Sequence, residues 1–550
     1  MCKACILFIF SIFFFSCQSP NNVDLVLFNG SIHSYGQGNI DATCLVVDDG
    51  KILAIGGQDS LRVLYKGRQE IDLKGKNVYP GWHDAHAHFA GYARGLSEID
   101  LKGCHSWDEC LERIATYIQK YPEKKWIRGR GWDQNLWGGN YPTRREIDSL
   151  YPNKFIYLSR VDGHAALVSG NVLERAGFDL NTQIDGGQLL HFDQTDQLSG
   201  LLIDAAADRA ADQVPDLSME EWSQVLKLAE TKLLAHGITA VTDAGLPLNM
   251  IGIIDSLQEE NALHLRMNIM LSPDADAFAY AREHGKIQKP ALNVLSFKLY
   301  ADGALGSRGA LLKKPYCDHK GSGLAIHRPV YFDSVCTIIY HLGFQANTHC
   351  IGDSANGLIL HTYGKFLQGK NDRRWRIEHA QVVDSSDMHY FGEYSILPSV
   401  QPTHATSDMK WAQDRLCLER MSGAYAYHSL LNVAGILPLG TDFPVEDINP
   451  MYTLLAAVYR QNSKLEPENG FRAEEAIDLN TCLRGMTWWP AWAAFRERDW
   501  GALEPGMFAD FAVYDNDLSK CTPNQIADIK PRETWIDGKM RWSAGARQIE

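Results

Sequence analysis

The chain has 550 residues, 45% of them hydrophobic and 22% charged, enough for about three or four domains' worth of core and unlike a disordered chain. Lys and Arg number 53 against 67 Asp and Glu, a net charge of −14 with no basic block, which repels phosphate backbones and argues against nucleic acid as a partner. With no fixed-period repeat or heptad seam, a large soluble enzyme is the default class; the partner expected for it is a small-molecule substrate, its oligomeric state left open.

Lys3 precedes an apolar run over residues 6–15, followed by Ser16-Cys17-Gln18-Ser19-Pro20. The run is shorter than the ~20 residues a transmembrane helix needs, so residues 1–17 read as a signal peptide. A small residue directly before a cysteine resembles a bacterial lipobox, although Phe14 and Phe15 stand where smaller aliphatic residues are commoner. The expectation is a lipoprotein of the bacterial cell envelope, facing the periplasm or the exterior and touching the membrane only through a lipid on Cys17. Cleavage near Ser16 to give a soluble secreted protein is the alternative. Of the 12 cysteines, the nine outside this segment show no C-x-x-C pairing. Neither a disulfide framework nor a thiolate zinc site is therefore expected, and most of these cysteines read as buried small hydrophobes.

Residues 23–76 alternate short apolar runs with turns at Asn29-Gly30, Asp49-Gly50 and Gly56-Gly57, and the same texture returns at 510–514 and 533–536, closed by Asp537-Gly538. Such turns mark antiparallel strands, so residues 18–77 and 498–550 are expected to build one small β-sandwich from both chain ends. Between them, residues 78–497 alternate strand-like and helical segments, the pattern of parallel strands with crossover helices. One helix is expected over 222–235, with Ser218 and Glu221 as a capping box, Trp222, Val225, Leu226, Ala229 and Leu233 on one face, and Gly237 as the stop. Candidate strands at 78–86, 238–243, 264–271, 294–302, 344–349, 374–379, 396–401 and 435–442 make an α/β fold, a (β/α)8 TIM barrel. The long gap between the first two makes residues 90–217 a large insertion over the barrel mouth, with its own helix over 107–118 capped by Ser106 and Glu109.

In this fold, chemistry sits at the strands' carboxyl ends. The first strand runs into His83-Asp84-Ala85-His86-Ala87-His88, and the two-residue spacing places His86 and His88 on one face of an extended chain, able to chelate one metal. In the fourth, Leu295, Phe297, Leu299 and Ala301 alternate with Ser296, Lys298, Tyr300 and Asp302, so the second set faces the interior. A lysine buried there needs a carboxylate partner, or a lowered pKa that lets its amine react with carbon dioxide. His349, His379 and Asp442 close the fifth, sixth and eighth strands. Ionisable groups gathered inside a barrel signal a metal or catalytic task.

The stretches Pro80-Gly81-Trp82-His83-Asp84-Ala85-His86-Ala87-His88, Lys298-Leu299-Tyr300-Ala301-Asp302-Gly303, His349-Cys350-Ile351-Gly352-Asp353, Arg376-Ile377-Glu378-His379-Ala380-Gln381 and Gly440-Thr441-Asp442-Phe443-Pro444-Val445-Glu446 resemble the amidohydrolase superfamily, within it the branch that includes N-substituted formamide deformylase. The resemblance implies a hydrolase of non-peptide, amide-like carbon–nitrogen bonds that attacks through a metal-bridging hydroxide. It implies two divalent ions, zinc by the histidine-rich ligation: one on His86 and His88, the other on His349 and His379, with carboxylated Lys298 bridging and Asp442, also a metal-site residue, as catalytic proton shuttle. Segments that the family uses above the metals make Trp132 and His164 substrate-binding candidates, together with Asp302 and Arg308; Trp132 as core and Arg308 as a loop ion pair are the bland readings. Two departures stand out. Trp82-His83 replaces a commoner aliphatic pair, and Cys350 leaves open a substituted metal ligand. The alternatives are a mononuclear deaminase-like centre of His86, His88, His349 and Asp442, and a non-catalytic substrate-binding lipoprotein.

Overall fold

The computed structural model describes residues 20–36, 38, 41–161, 163–184, 187–192 and 197–545; the expected signal peptide, Cys17 and Asp162 lie outside them. Seven strands form one parallel sheet: β1 (Trp82–Ala87), β2 (Ile238–Leu246), β3 (Arg266–Leu271), β4 (Leu292–Tyr300), β5 (Gln345–Cys350), β6 (Arg376–His379) and β7 (Leu397–Ser399), paired in sequence order. Helices cover them, among them Met219–Leu234, which starts three residues earlier than its apolar face suggests because the Ser218/Glu221 capping box lies outside that face. The same logic holds for Trp107–Lys120, where the Ser106 side chain accepts from the Glu109 amide.

The 435–442 stretch is not the regular eighth strand expected, yet it occupies the gap between β7 and β1. Gly440 N donates to Val400 O at 3.0 Å, Ala85 N to Leu439 O at 3.1 Å and Asp442 N to His86 O at 2.7 Å. The approach is so close that a Cβ on Gly440 would stand 2.5 Å from His86 N. Asp442 takes a left-handed φ of 63°, and these two features break the extended ladder while leaving the barrel nearly closed.

The first expected strand, 78–86, divides at Gly81, where a Cβ would lie 2.1 Å from Thr239 Oγ1. Asn77–Pro80 belongs to a different sheet, pairing with Asn21–His33 on one side and Phe511–Tyr514 on the other. That sheet has eight strands drawn from both chain ends, and one apolar cluster runs through it from Leu25, Leu27 and Leu45 to Phe511 and Trp535. Within the long segment after β1, a third sheet of six strands runs from Ile99–Asp100 to Leu198–Asp204, with apolar clusters of its own around Ile114 and Leu158, and around Val172 and Phe178.

Cys317 and Cys417 form a disulfide across a separation of 100 residues, a single bridge that the sequence did not indicate. Their spacing encodes nothing because the two loops meet only in the folded chain. The other described cysteines are free and, except for partly exposed Cys521, buried.

The end sheet is bolted to the barrel by Arg266 at the start of β3. Its guanidinium donates from Nε and Nη2 to Asp510 at 2.7 and 2.9 Å and from Nη2 to Asp537 at 2.5 Å, with Arg266 only 2% exposed. Removing one partner of a buried pair leaves an uncompensated charge, at a cost of about 3–5 kcal/mol. Arg266→Met should therefore lower the thermal unfolding midpoint, and adding Asp510→Leu should recover much of the loss. A single variant that melts like the parent would show that the pair does not hold the two sheets together.

Candidate metal centre

β1 delivers His86 inward with no exposed surface, and its backbone is pinned by Asp84, which accepts from the amides of His86 and Thr441, each at 3.1 Å. Asp84 also accepts from Thr441 Oγ1 at 2.7 Å, so one carboxylate sets β1 against the stretch that carries Asp442. On β6, Arg376 and Glu378 stand two apart and share the inward face. Arg376 Nε lies 2.7 Å from Glu378 Oε1, and Glu378 Oε2 is 2.5 Å from His86 Nδ1. Burial pushes Glu378 up, but Arg376 and His86 outweigh it and hold the carboxyl at about 2. A carboxylate on Nδ1 orients the ring and leaves Nε2 as the free donor.

His379 is set the same way, its Nδ1 lying 2.6 Å from Gln401 Oε1. Burial holds the imidazoles neutral: His86 falls to about 4 and His349 to about 3, in both cases chiefly by desolvation and next by the neighbouring Lys298. Neutral imidazole is the ligating form.

Lys298, 1% exposed, points from β4 to the same place, its Nζ 3.4 Å from His86 Nε2 and 4.7 Å from the Tyr300 ring centre. Desolvation lowers its ammonium pKa, Arg376 adds to that, and Glu378 and Asp442 oppose it. Phe297 and Leu299 face the other way into the main core, as the alternation requires. Asp442 brings Oδ1 to 3.1 Å from His88 Nε2 and 3.6 Å from His86 Nε2, and Oδ2 to 3.6 Å from His404 Nε2. Burial raises this carboxyl, yet the surrounding rings of His88, His86, His379 and His404 hold it well below the usual carboxylate range.

These donors fit a divalent metal. The buried Nε2 atoms of His349 and His404 have no hydrogen-bond partner, an arrangement that is costly unless another group satisfies them. Ligand atoms of His86, His88 and Asp442, and separately of His379, His404 and Asp442, lie within 4.8 Å of one another, and imidazole with carboxylate suits zinc and similar ions.

Sequence reasoning missed His404 and the part Glu378 plays. His404 stands three residues past the expected end of the seventh strand, in Gln401-Pro402-Thr403-His404, where Pro402 opens the helix Pro402–Asp408. A strand-end rule carried into the first turn of the next helix would have found it. His349 does reach the cluster, its ring centre 4.5 Å from that of His379, but its Nε2 faces Asp302 Oδ1 at 3.8 Å and it belongs to neither ligand group. Cys350 is fully buried in the apolar core on the opposite face of β5 and is also outside both groups.

Each of the four expected substrate contacts has a protein partner in the structure. Asp302 accepts from the amides of Ile351, Gly352 and Leu311 at 2.8–2.9 Å, tying the loops after β4 and β5 together. Arg308 forks onto Asp318 at 3.2 and 2.8 Å, the loop ion pair. Trp132 is fully buried in the core of the third sheet, where its Nε1 donates to Leu158 O at 2.8 Å. His164 is exposed, with Nδ1 2.9 Å from Asp204 Oδ1.

Residues 69–541 match the amidohydrolase family. The protein LONG AFTER FAR-RED 3 of Arabidopsis thaliana is 31% identical over 541 residues, spanning 94% of this chain and 91% of that protein. N-substituted formamide deformylase of Arthrobacter pascens is 24% identical over 556 residues, spanning 94% and 98%. The crystal structure of an uncharacterized metal-dependent hydrolase from Pyrococcus horikoshii OT3 superposes with a TM-score of 0.79 at 27% identity, over 91% of this chain and 99% of that one.

Proposed function

This chain belongs to the amidohydrolase family, and on that premise we propose that it hydrolyses a non-peptide, amide-like carbon–nitrogen bond in a small molecule with the help of two divalent ions, zinc by ligand type. The observation that carries this reading is the pair of His, His, Asp groups that meet at Asp442. When bound, the ions supply a water acidified toward neutral pH and a Lewis acid for the carbonyl oxygen. Asp442 takes a proton from the attacking water and returns it to the leaving nitrogen, which is a poor leaving group until protonated. Lys298 Nζ, 3.4 Å from His86 Nε2, would react as the free amine with carbon dioxide, an N–C bond forming and the nitrogen releasing a proton, and the resulting carbamate would add its oxygens to the residues that hold the ions.

The segment after β1 supplies one wall of the substrate site in this reading. A cavity of about 340 Å³ is lined by Tyr92 and Arg94 from the helix after His88, by Ile99, Lys102 and Arg130 from the inserted segment, and by Pro444, two residues past Asp442. Metal-loaded and chelator-treated protein should be compared on formamides, N-acyl amino acids and cyclic amides. Hydrolysis of one class that is lost on chelation is the expected result. No turnover on any class by protein that holds no ion would favour the non-catalytic binding lipoprotein.

The lipoprotein reading places the protein in the cell envelope, and the Cys317–Cys417 disulfide supports an oxidising compartment. No helix among the described residues is long and apolar enough to cross a membrane. The mature chain should begin at an acylated Cys17, several acyl chains giving firmer attachment than one. Mass spectrometry of the membrane fraction tests this, and an unmodified N-terminus at Gln18 or earlier would contradict it.

A further inference from the structure

The groups around Asp442 divide by geometry. Its Oδ1 faces His88 and His86, at 3.1 and 3.6 Å, whereas Oδ2 faces His404, at 3.6 Å. The His404 ring lies nearly parallel to that of His379, at 17° with centres 5.7 Å apart, and its buried Nε2 has no hydrogen-bond partner. One short stretch sets both rings. Gln401 turns His379 through the 2.6 Å contact to Nδ1, and three residues later the first helical turn presents His404 itself. The backbone of that stretch is in turn held by Tyr427, whose hydroxyl donates to Gln401 O at 3.0 Å. A half-buried imidazole whose buried Nε2 has no hydrogen-bond partner, set beside a second imidazole and one oxygen of a shared carboxylate, has the donor set of a metal ligand.

We propose that His404 is a ligand of the second metal position, together with His379 and Asp442 Oδ2. The second ion is then held from the sixth, seventh and eighth positions of the barrel. This rests on the two-metal reading above and adds a ligand to it that the family resemblance did not supply.

The test is metal content and the visible spectrum of the cobalt(II)-loaded full-length protein, for the parent, His404→Ala, His404→Gln, His88→Ala and His349→Ala. The parent should hold two ions per chain. Both His404 variants should hold one after dialysis, with at least a 100-fold weaker affinity for the second and a changed cobalt spectrum. His88→Ala should instead lose the first ion and keep the absorption of the second. Thermal unfolding of each metal-free variant reports folding, and the glutamine variant preserves side-chain volume if alanine disturbs it. Should His349→Ala lose an ion as well, His404 stands as a ligand with His349 beside it. Folded His404 variants that keep two ions and the parent spectrum would overturn the proposal and leave the hydrolase reading intact. A parent that takes up no ion overturns the metal reading as a whole.

Discussion

Asp442→Asn should lower kcat by roughly 10²- to 10⁴-fold, the usual value of a positioned acid–base group. Asparagine keeps an oxygen that can ligate but cannot carry a proton, so the assay is run with metal in excess and with metal content measured alongside. The reason lies in the surroundings of the carboxyl. Burial alone would favour its protonated form, but the histidine rings around it keep it ionised far below neutral pH, so it starts the reaction as a base. It becomes an acid only after taking a proton from water, and the leaving nitrogen is where that proton is needed. A KM that changes little while kcat collapses would place the loss in the transition state. Near-parental turnover by a fully loaded Asp442→Asn protein would remove Asp442 from the proton path.

Lys298→Ala should cost on the order of 100-fold or more in activity, beyond the 10–100-fold that loss of a ligand-orienting partner costs a metal site. Part of the loss should return when a short carboxylic acid is added, because its carboxylate can stand where the carbamate oxygens were. Lys298→Arg is the control: it keeps a positive charge at a position only 1% exposed but forms no carbamate, so it should stay inactive without the acid and gain little from it. Carbon-13 NMR of the parent in labelled bicarbonate should show a carbamate resonance that both variants lack. An unaided Lys298→Ala protein with normal turnover and one ion would support the mononuclear alternative.

Much of the site was legible because its residues obey local rules. His86 and His88 share a face by the period of two, Lys298 is turned inward by the apolar alternation of Phe297 and Leu299, and His379 and Asp442 close their segments. What escaped depended on neighbours remote in sequence. Glu378 looked like one more polar residue of β6 until Arg376 and His86 closed around it. Trp132 was an ambiguous aromatic, and only the folded chain places it in the core of the third sheet with Leu158 O as its acceptor. Asp302 stood at a strand end, and only the folded chain brings three amides from two loops to its carboxylate.

Read alone, the chain was enough to establish the class of fold, the parallel strands and the donor types of a metal centre, because hydrophobic period, turn chemistry and strand-end position are local properties. It could not say that Gly81 would split one strand between two sheets, since the obstacle is Thr239, more than a hundred residues away. Nor could it pair Cys317 with Cys417 or bring His404 to Asp442. Those contacts exist only after the barrel has nearly closed, when the ends of its first, sixth, seventh and eighth positions converge, and distance in space, which decides ligation, no longer follows distance along the chain.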